Sequence, residues 1–470
     1  MFELDLTFSI LLILSLLAAC AFEFVNGFHD TANAVATVIY TNSLKPWIAV
    51  TWSGFCNFLG VLLGGIGVAI GIVNLLPVEL LVDQNVSHSL AMVMALLLSA
   101  ISWNLLTWYL GIPCSSSHTL IGSILGVGLA FSMLPDSHET AVNWGKAKEI
   151  GLSLFISPIF GFSLTIILMF LTRRLTRKTA HGDDLFKEPK KNQPPPWWIR
   201  SILLLTCSAV SFAHGSNDGQ KGVGLIMLIL IGIVPGYFAL NDAVSPQSLG
   251  PSLSAIERII AVTDSSSLSA GDRKKLYATQ KLNEELIATV NGVVSVEAVS
   301  KKERFALRKK IVTMSRNLNG ILNKEEARVS EADKKTLSKE LSSVLKITDY
   351  SPRWVILLIS LSLGLGTMIG WKRIVKTIGE KIGKEHLSYA QGGSAELVAA
   401  STIGISTYMG LPVSTTHVLS SGIAGSMVAS KGIKNLQPET VRNIVIAWVL
   451  TLPVVMLMAG SLFLLFRNIF

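Results

Sequence analysis

Gly27-Phe28-His29-Asp30-Thr31-Ala32-Asn33-Ala34 returns later in the chain as Gly215-Ser216-Asn217-Asp218-Gly219-Gln220-Lys221-Gly222, at an offset of 188 residues. A second pair recurs. Gly111-Ile112-Pro113-Cys114-Ser115-Ser116-Ser117-His118-Thr119-Leu120 lines up with Gly410-Leu411-Pro412-Val413-Ser414-Thr415-Thr416-His417-Val418-Leu419, at an offset of 299. The offsets differ by 111 residues, so an insertion of that size must lie between the two motifs of the second half. The polar stretch 241–350 sits there and is 110 residues long. Motif spacing and composition thus agree on a duplicated chain with one insertion.

Composition says what is duplicated. The chain has 470 residues, half hydrophobic and only 15% charged, against about 25% charged in ordinary soluble domains. Its mean hydropathy is +0.53. A soluble enzyme, a disordered chain and a fibrous protein are poor fits; a multi-span membrane protein fits. The net charge of +9 reads as Lys/Arg-rich cytoplasmic loops rather than as a nucleic-acid surface. Cys20, Cys56, Cys114 and Cys207 lie in apolar stretches without ligand spacing, so neither a disulfide framework nor a zinc site is expected. Glu3 and Asp5 precede the first apolar run, and no Lys or Arg comes before Lys45. That run is therefore expected to be retained, with the N-terminus outside.

Apolar runs long enough to cross a bilayer fall at 6–40, 47–76, 90–112, 115–134 and 149–171, then at 199–240, 354–371, 389–411, 413–430 and 443–466. The runs 6–40 and 199–240 are long and carry Gly, His and Asp in the middle, so each is expected to be a single broken crossing. Lys/Arg placement puts 172–196 and 372–388 inside, and the base-free loop 77–88, with Glu79 and Asp83, outside. Five crossings per half, with both termini outside, satisfy these loops. The expected fold is an all-α polytopic membrane protein. It has two inverted repeats of about five crossings each, broken helices at midplane and a small helical soluble insert. The expected domains are 1–171 (first repeat), 172–198 (basic cytoplasmic linker), 199–240 with 351–470 (second repeat) and 241–350 (the insert, outside).

Duplicated halves of opposite orientation are the plan of many secondary transporters, whose substrate site lies near midplane at the repeat interface. The Gly-Ile-Pro and Gly-Leu-Pro turns leave helix N-termini carrying Ser115, Ser116, Ser117 and Ser414, Thr415, Thr416. Free backbone N–H groups and the positive dipole end favour an anion there. Of eight histidines, four lie inside the repeat motifs: His29, His118, His214 and His417. Asp30, Asp218 and Lys221 join them. Ionisable groups within apolar spans default to function. The bland alternatives are that a lone membrane histidine often only joins two helices, and that small residues such as Gly60, Gly64, Gly67 and Gly71 let helices approach. Glu23 and Glu396 stay unassigned.

At these four motifs the chain resembles the inorganic phosphate transporter (PiT) family, whose signature is a Gly-Ala-Asn-Asp-Val-Ala-Asn-Ala-type motif repeated once per half. The likeness covers essentially the whole chain and is greatest to the low-affinity phosphate transporters of Gram-negative bacteria. It implies a proton-coupled carrier of the cell inner membrane, not an enzyme, with both termini periplasmic. It also implies inorganic phosphate as substrate, taken as a neutral complex with a co-transported divalent metal, and no resident cofactor. A homodimer is the expected assembly. Two positions depart from the broader family: His29 and Lys221 stand where sodium-coupled members have Asn. Imidazole and ammonium do not suit a Na⁺ shell, and histidine can carry a proton near neutral pH.

The expected site follows. Ser115, Ser116, Ser117, Ser414, Thr415, Thr416, Asn33 and Gln220 cradle phosphate. His29, Asp30, Asn217, Asp218 and Lys221 handle the coupling ion or proton. His118, His214 and His417 support them, and no metal ligand is singled out. The alternatives are sodium-coupled phosphate symport, transport of another oxyanion such as sulfate, an intramembrane phosphatase or transferase, and a receptor working through 241–350.

Overall fold

The computed structural model describes residues 4–75, 86–134, 142–179, 182–190, 193–322 and 324–469, with the backbone alone at Thr31, Asn33, Val86, Ser87, Lys146 and Glu325. Most of the loop 77–88, used above to set sidedness, lies outside the described residues. The chain forms two compact units, Glu3–Ile229 with Ser351–Phe470, and Leu230–Tyr350.

In the first unit the helices are α1 (Leu6–Tyr40), α2 (Pro46–Leu63), α3 (Gly67–Val73), α4 (Val86–Leu110), α5 (Ser116–Ser132), α6 (Trp144–Thr176) and α7 (Trp197–Ile233). The second unit holds α8 (Pro235–Phe238), α9 (Gly250–Val262), α10 (Ala270–Val290), α11 (Lys301–Leu322) and α12 (Glu331–Leu345). The first unit resumes with α13 (Arg353–Thr367), α14 (Lys372–Lys376), α15 (Tyr389–Tyr408), α16 (Thr415–Lys431) and α17 (Pro438–Arg467). Among the described residues five helices are long and apolar enough to cross a membrane, or six if Arg353–Thr367 and Lys372–Lys381, bent by 54°, make one span. Large apolar side chains such as Phe155, Phe160, Ile167, Val449 and Leu457 face outward on α6 and α17, where lipid is the natural solvent. This is a helical membrane protein.

The two long motif helices are not broken. α1 runs unbroken for 35 residues and α7 for 37, through Gly27-Phe28-His29-Asp30 and Gly215-Ser216-Asn217-Asp218. The expectation of a break there is corrected, and the reason is lateral. Gly27 serves a close helix crossing: a Cβ on it would stand 2.5 Å from Leu363 O of α13. On its repeat mate Gly215 it would stand 2.2 Å from Asn57 O of α2. The polar side chains find partners on neighbouring helices, so the backbone has no need to open for them.

The interruptions fall instead at the proline turns. α4 and α5 pack together as a hairpin, as do α15 and α16. The two turns share one geometry. Gly111 and Gly410 take φ of 68° and 69°. The amides of Gly111 and Ile112 donate to Trp108 O and Thr107 O at 2.9 and 3.0 Å, and those of Gly410 and Leu411 to Thr407 O and Ser406 O at 3.0 and 2.9 Å. This is the Schellman stop, which needs a left-handed residue and tolerates proline just after it. Ser115 and Ser414 then cap the next helix, accepting from the amides of His118 at 3.2 Å and His417 at 3.1 Å. α5 and α16 are each 17 residues long.

The second unit is a helical bundle whose ends meet. The amide of Asn241 donates to Ile347 O at 2.7 Å. The buried Arg308 guanidinium donates to Ala239 O at 3.1 Å and to Thr348 O at 2.5 Å, clasping both ends from α11. Burial pushes the neighbouring Asp349 carboxyl above its usual range, against the pull of Arg308.

Candidate functional site

α1, α7 and the first turns of α5 and α16 meet at one buried cluster. Asp30 and Asp218 are each at most 1% exposed. Ser116 Oγ lies between them, 3.0 Å from Asp30 Oδ2 and 3.3 Å from Asp218 Oδ2. Thr416 donates its hydroxyl to Asp30 Oδ1. Lys221 Nζ donates to Ser117 Oγ at 2.5 Å, to Asp218 Oδ1 at 2.6 Å and to Val413 O at 3.0 Å. The contacts cross the duplication: Thr416 belongs to the second half and reaches the first-half aspartate, while Ser117 belongs to the first half and receives the second-half lysine.

Two histidines face the carboxylates, and their hydrogen-bond chains fix which nitrogen does so. The Thr367 hydroxyl donates to Leu363 O at 2.8 Å, so its oxygen accepts from Asn57 Nδ2 at 3.0 Å. That turns Asn57 Oδ1 toward His214, 2.8 Å away, and makes His214 Nδ1 the donor. His214 Nε2, without a hydrogen-bond partner, then faces Asp218 Oδ2 at 3.6 Å and Asp30 Oδ2 at 3.8 Å. His29 repeats the arrangement. The Thr107 hydroxyl donates to Trp103 O at 3.0 Å and Asn104 O at 3.1 Å, leaving its oxygen to accept from His29 Nε2 at 3.2 Å. His29 Nδ1 faces Asp30 Oδ1 at 3.5 Å. In both cases a neutral ring would aim a lone pair at a carboxylate. A proton or a metal ion on that nitrogen removes the repulsion. One ligand atom each from Asp30, His214 and Asp218 lies within 4.8 Å of the others, a spacing that suits a cation.

The remaining expected site residues divide by task. Ser115 and Ser414 are helix caps; Ser115 Oγ also meets His118 Nδ1 at 2.8 Å. Thr415 is buried next to Thr416. Asn217, expected at the coupling ion, clamps the α15–α16 tip: it donates to Thr407 Oγ1 at 2.9 Å and Leu411 O at 3.1 Å and accepts from the Val413 amide at 3.2 Å. Gln220, expected at the substrate, is committed to backbone: it donates to Gly64 O and Ser216 O, both at 2.7 Å, and accepts from the Val68 amide at 2.8 Å, so it holds the α2–α3 break. The side chain of Asn33 lies outside the described residues. His118 and His417 bring their rings to 4.6 Å, and His417 stacks on Trp448 at 3.9 Å, so they join the two hairpins rather than touch the carboxylates. Sequence reasoning missed Asn57 and Thr107, which orient the histidines. An amide inside the apolar run 47–76 was the available signal for Asn57.

Comparison with known proteins is consistent along the chain. The phosphate transporter family model matches residues 26–459. The low-affinity inorganic phosphate transporters PitB and PitA of Escherichia coli (strain K12) are 41% and 42% identical, each alignment covering 98% of this chain and 97% of the relative. A probable low-affinity inorganic phosphate transporter of Bacillus subtilis (strain 168) is 28% identical over 95% of this chain and 94% of its own. A solved structure described as the sodium-dependent phosphate transporter shares the fold, with a TM-score of 0.54 and 20% identity over 98% of this chain and 100% of its own. On the family match and on relatives above 40% identity at nearly full length, this chain belongs to the phosphate transporter family, a family of membrane carriers and not of enzymes.

Proposed function

We propose that the protein imports inorganic phosphate across the bacterial inner membrane by proton symport, with the cluster around Asp30 and Asp218 as its substrate and coupling site. The observation that carries the coupling is the orientation of His214: its Nε2, without a hydrogen-bond partner, faces two carboxylate oxygens at 3.6 and 3.8 Å and calls for a positive charge there. The two aspartates and Lys221 leave one negative charge in excess, so a phosphate anion enters only with added positive charge. Protons on the histidines supply it. So does a divalent metal carried with phosphate as substrate, for which Asp30, His214 and Asp218 are the candidate ligands. Phosphate oxygens would then compete for the hydroxyls of Ser116, Ser117 and Thr416 and for the first-turn amides of α5 and α16. A protonated phosphate can donate to a carboxylate and sulfate cannot, which is one route to discriminating between them.

The case against sodium is Lys221. Its ammonium sits inside a shell of carboxylate, hydroxyl and carbonyl oxygens of the kind a Na⁺ ion needs. Adding Na⁺ beside it costs roughly 4 kcal/mol at about 4 Å and an effective dielectric of about 20. Labelled phosphate uptake into proteoliposomes, under separately imposed proton and sodium gradients, tests the reading. Uptake should follow an inward proton gradient, collapse with an uncoupler and ignore replacement of Na⁺ by K⁺. Strict dependence on Na⁺ with no response to protons would overturn it.

A further inference from the structure

Seven residues before Asp30 on α1, about 10 Å along the helix axis, stands a second carboxyl that the site does not use. Glu23 is fully buried. Its Oε2 accepts from Asn26 Nδ2 at 3.2 Å, while its Oε1 has no hydrogen-bond partner. It fits against Gly222 of α7, where a Cβ would stand 2.6 Å from Oε1. The polar character continues along the seam between α1 and α4. Ser15 meets Met94, and His29 meets Thr107, at separations of 79 and 78 residues, so the seam keeps one register. That register places Asn26 level with Asn104. Asn26 Oδ1 and both polar atoms of the buried Asn104 side chain also lack partners. Unpaired buried amides and carboxyls cost free energy unless water or a proton serves them.

The second half buries a carboxyl of its own, Glu396 on α15, whose Oε2 accepts from Thr206 of α7 at 2.6 Å while Oε1 has no hydrogen-bond partner. At the repeat mate of Glu23 stands Ser211, whose hydroxyl is paired with Ser53 at 2.9 Å, and at the mate of Asn104 stands Ile403. What does not recur is the pair of unpartnered amides that continues the first-half seam, since the mates of Asn26 and Asn104 are His214 and Ile403. The charged groups within electrostatic reach of Glu23 are His214, Asp218 and Lys221 of α7. Cys20 lies one turn away on its own helix. α4 carries only His88 and Tyr109 as titratable side chains, α13 only Arg353, and α2 only Cys56.

We propose that Glu23 is the loading group of a proton route that runs along the α1–α4 seam, past Asn26 and Asn104, toward the central cluster. On loading, the Glu23 carboxylate gains one proton. On delivery through water that proton passes to the phosphate anion held at the central cluster, and Glu23 returns to carboxylate. No other bond forms or breaks. The proposal rests on the proton-coupled reading of the central site, and the rival role for Glu23 is a wedge that fills the Gly222 notch.

The test uses the purified full chain in proteoliposomes, with Glu23→Gln and Glu23→Asp beside the unmodified protein. Two rates are read with labelled phosphate: uptake driven by an imposed proton gradient, and phosphate–phosphate exchange at equal pH, which needs no net proton movement. Glu23→Gln should lower driven uptake about tenfold or more and keep exchange within about twofold of normal. Glu23→Asp should recover much of the driven rate. Driven uptake by Glu23→Gln at the normal rate would overturn the proposal. So would parallel loss of both rates in Glu23→Gln, which marks a packing role. If the unmodified protein ignores the proton gradient, the coupling reading fails first and this proposal falls with it.

Discussion

Ser116 is the residue on which the site turns, because its hydroxyl lies within reach of both carboxylates. Replacing it by alanine removes a charge-assisted hydrogen bond worth roughly 1.5–3 kcal/mol. Apparent phosphate affinity should then fall by about one to two decades, measured as the KM of labelled uptake. Asp30→Asn and Asp218→Asn should each abolish or strongly reduce uptake while the protein still reaches the membrane. Near-normal transport by either would remove the carboxylates from the mechanism. Which residues belong here was legible only in part. Asp30, Asp218, Lys221 and the hydroxyl clusters stood out as polar groups in apolar runs. Gln220 and Asn217 stood in the same motif and looked equivalent. Their amides instead hold backbone that is distant in sequence, a fact of tertiary packing that spacing along one helix does not carry. His214 was read as a support, yet its ring is aimed by Asn57 and Thr367, two residues that no motif contains.

At the scale of elements, the two hairpins show what a short sequence signal can fix. Gly-x-Pro followed by a hydroxyl run specified a stop, a turn and a capped restart in both halves. The φ angles of Gly111 and Gly410 agree to within a degree. Ser115→Ala and Ser414→Ala remove caps worth about 1 kcal/mol each. Each should reduce uptake modestly, and Asn at the same position, which also caps, should restore it where Ala does not. Equal failure of Asn and Ala would mean the hydroxyl itself contacts phosphate. Hydropathy located the apolar segments that become the long helices α1, α4, α6 and α17, because lipid exposure demands long runs of apolar side chains. It misjudged their continuity. Gly, His and Asp in mid-helix look like a break when read locally. In the fold they are a flat contact for another helix and two laterally paired side chains.

At the scale of the whole molecule, the insertion arithmetic predicts that residues 241–350 are dispensable for basic transport. The structure supplies a reason the chain can close without them, since Asn241 and Ile347 are already hydrogen-bonded neighbours. A chain with this segment replaced by a short linker should still reach the membrane and move phosphate, measured by uptake in intact cells. A stable, inserted and wholly inactive product would make the insert part of the machine. In the unshortened chain a single cysteine at Ser266 should react with an impermeant reagent from outside. The cross-bridges at the centre carry a consequence for descent. Asp30 accepts a hydrogen bond from the hydroxyl of Thr416, and Lys221 donates one to Ser117, so each half lends the other a partner across the duplication. A half-length ancestor could not have closed such a site as a monomer. It would have had to meet a second copy of itself, and the fused chain keeps that meeting surface around Asp30 and Asp218.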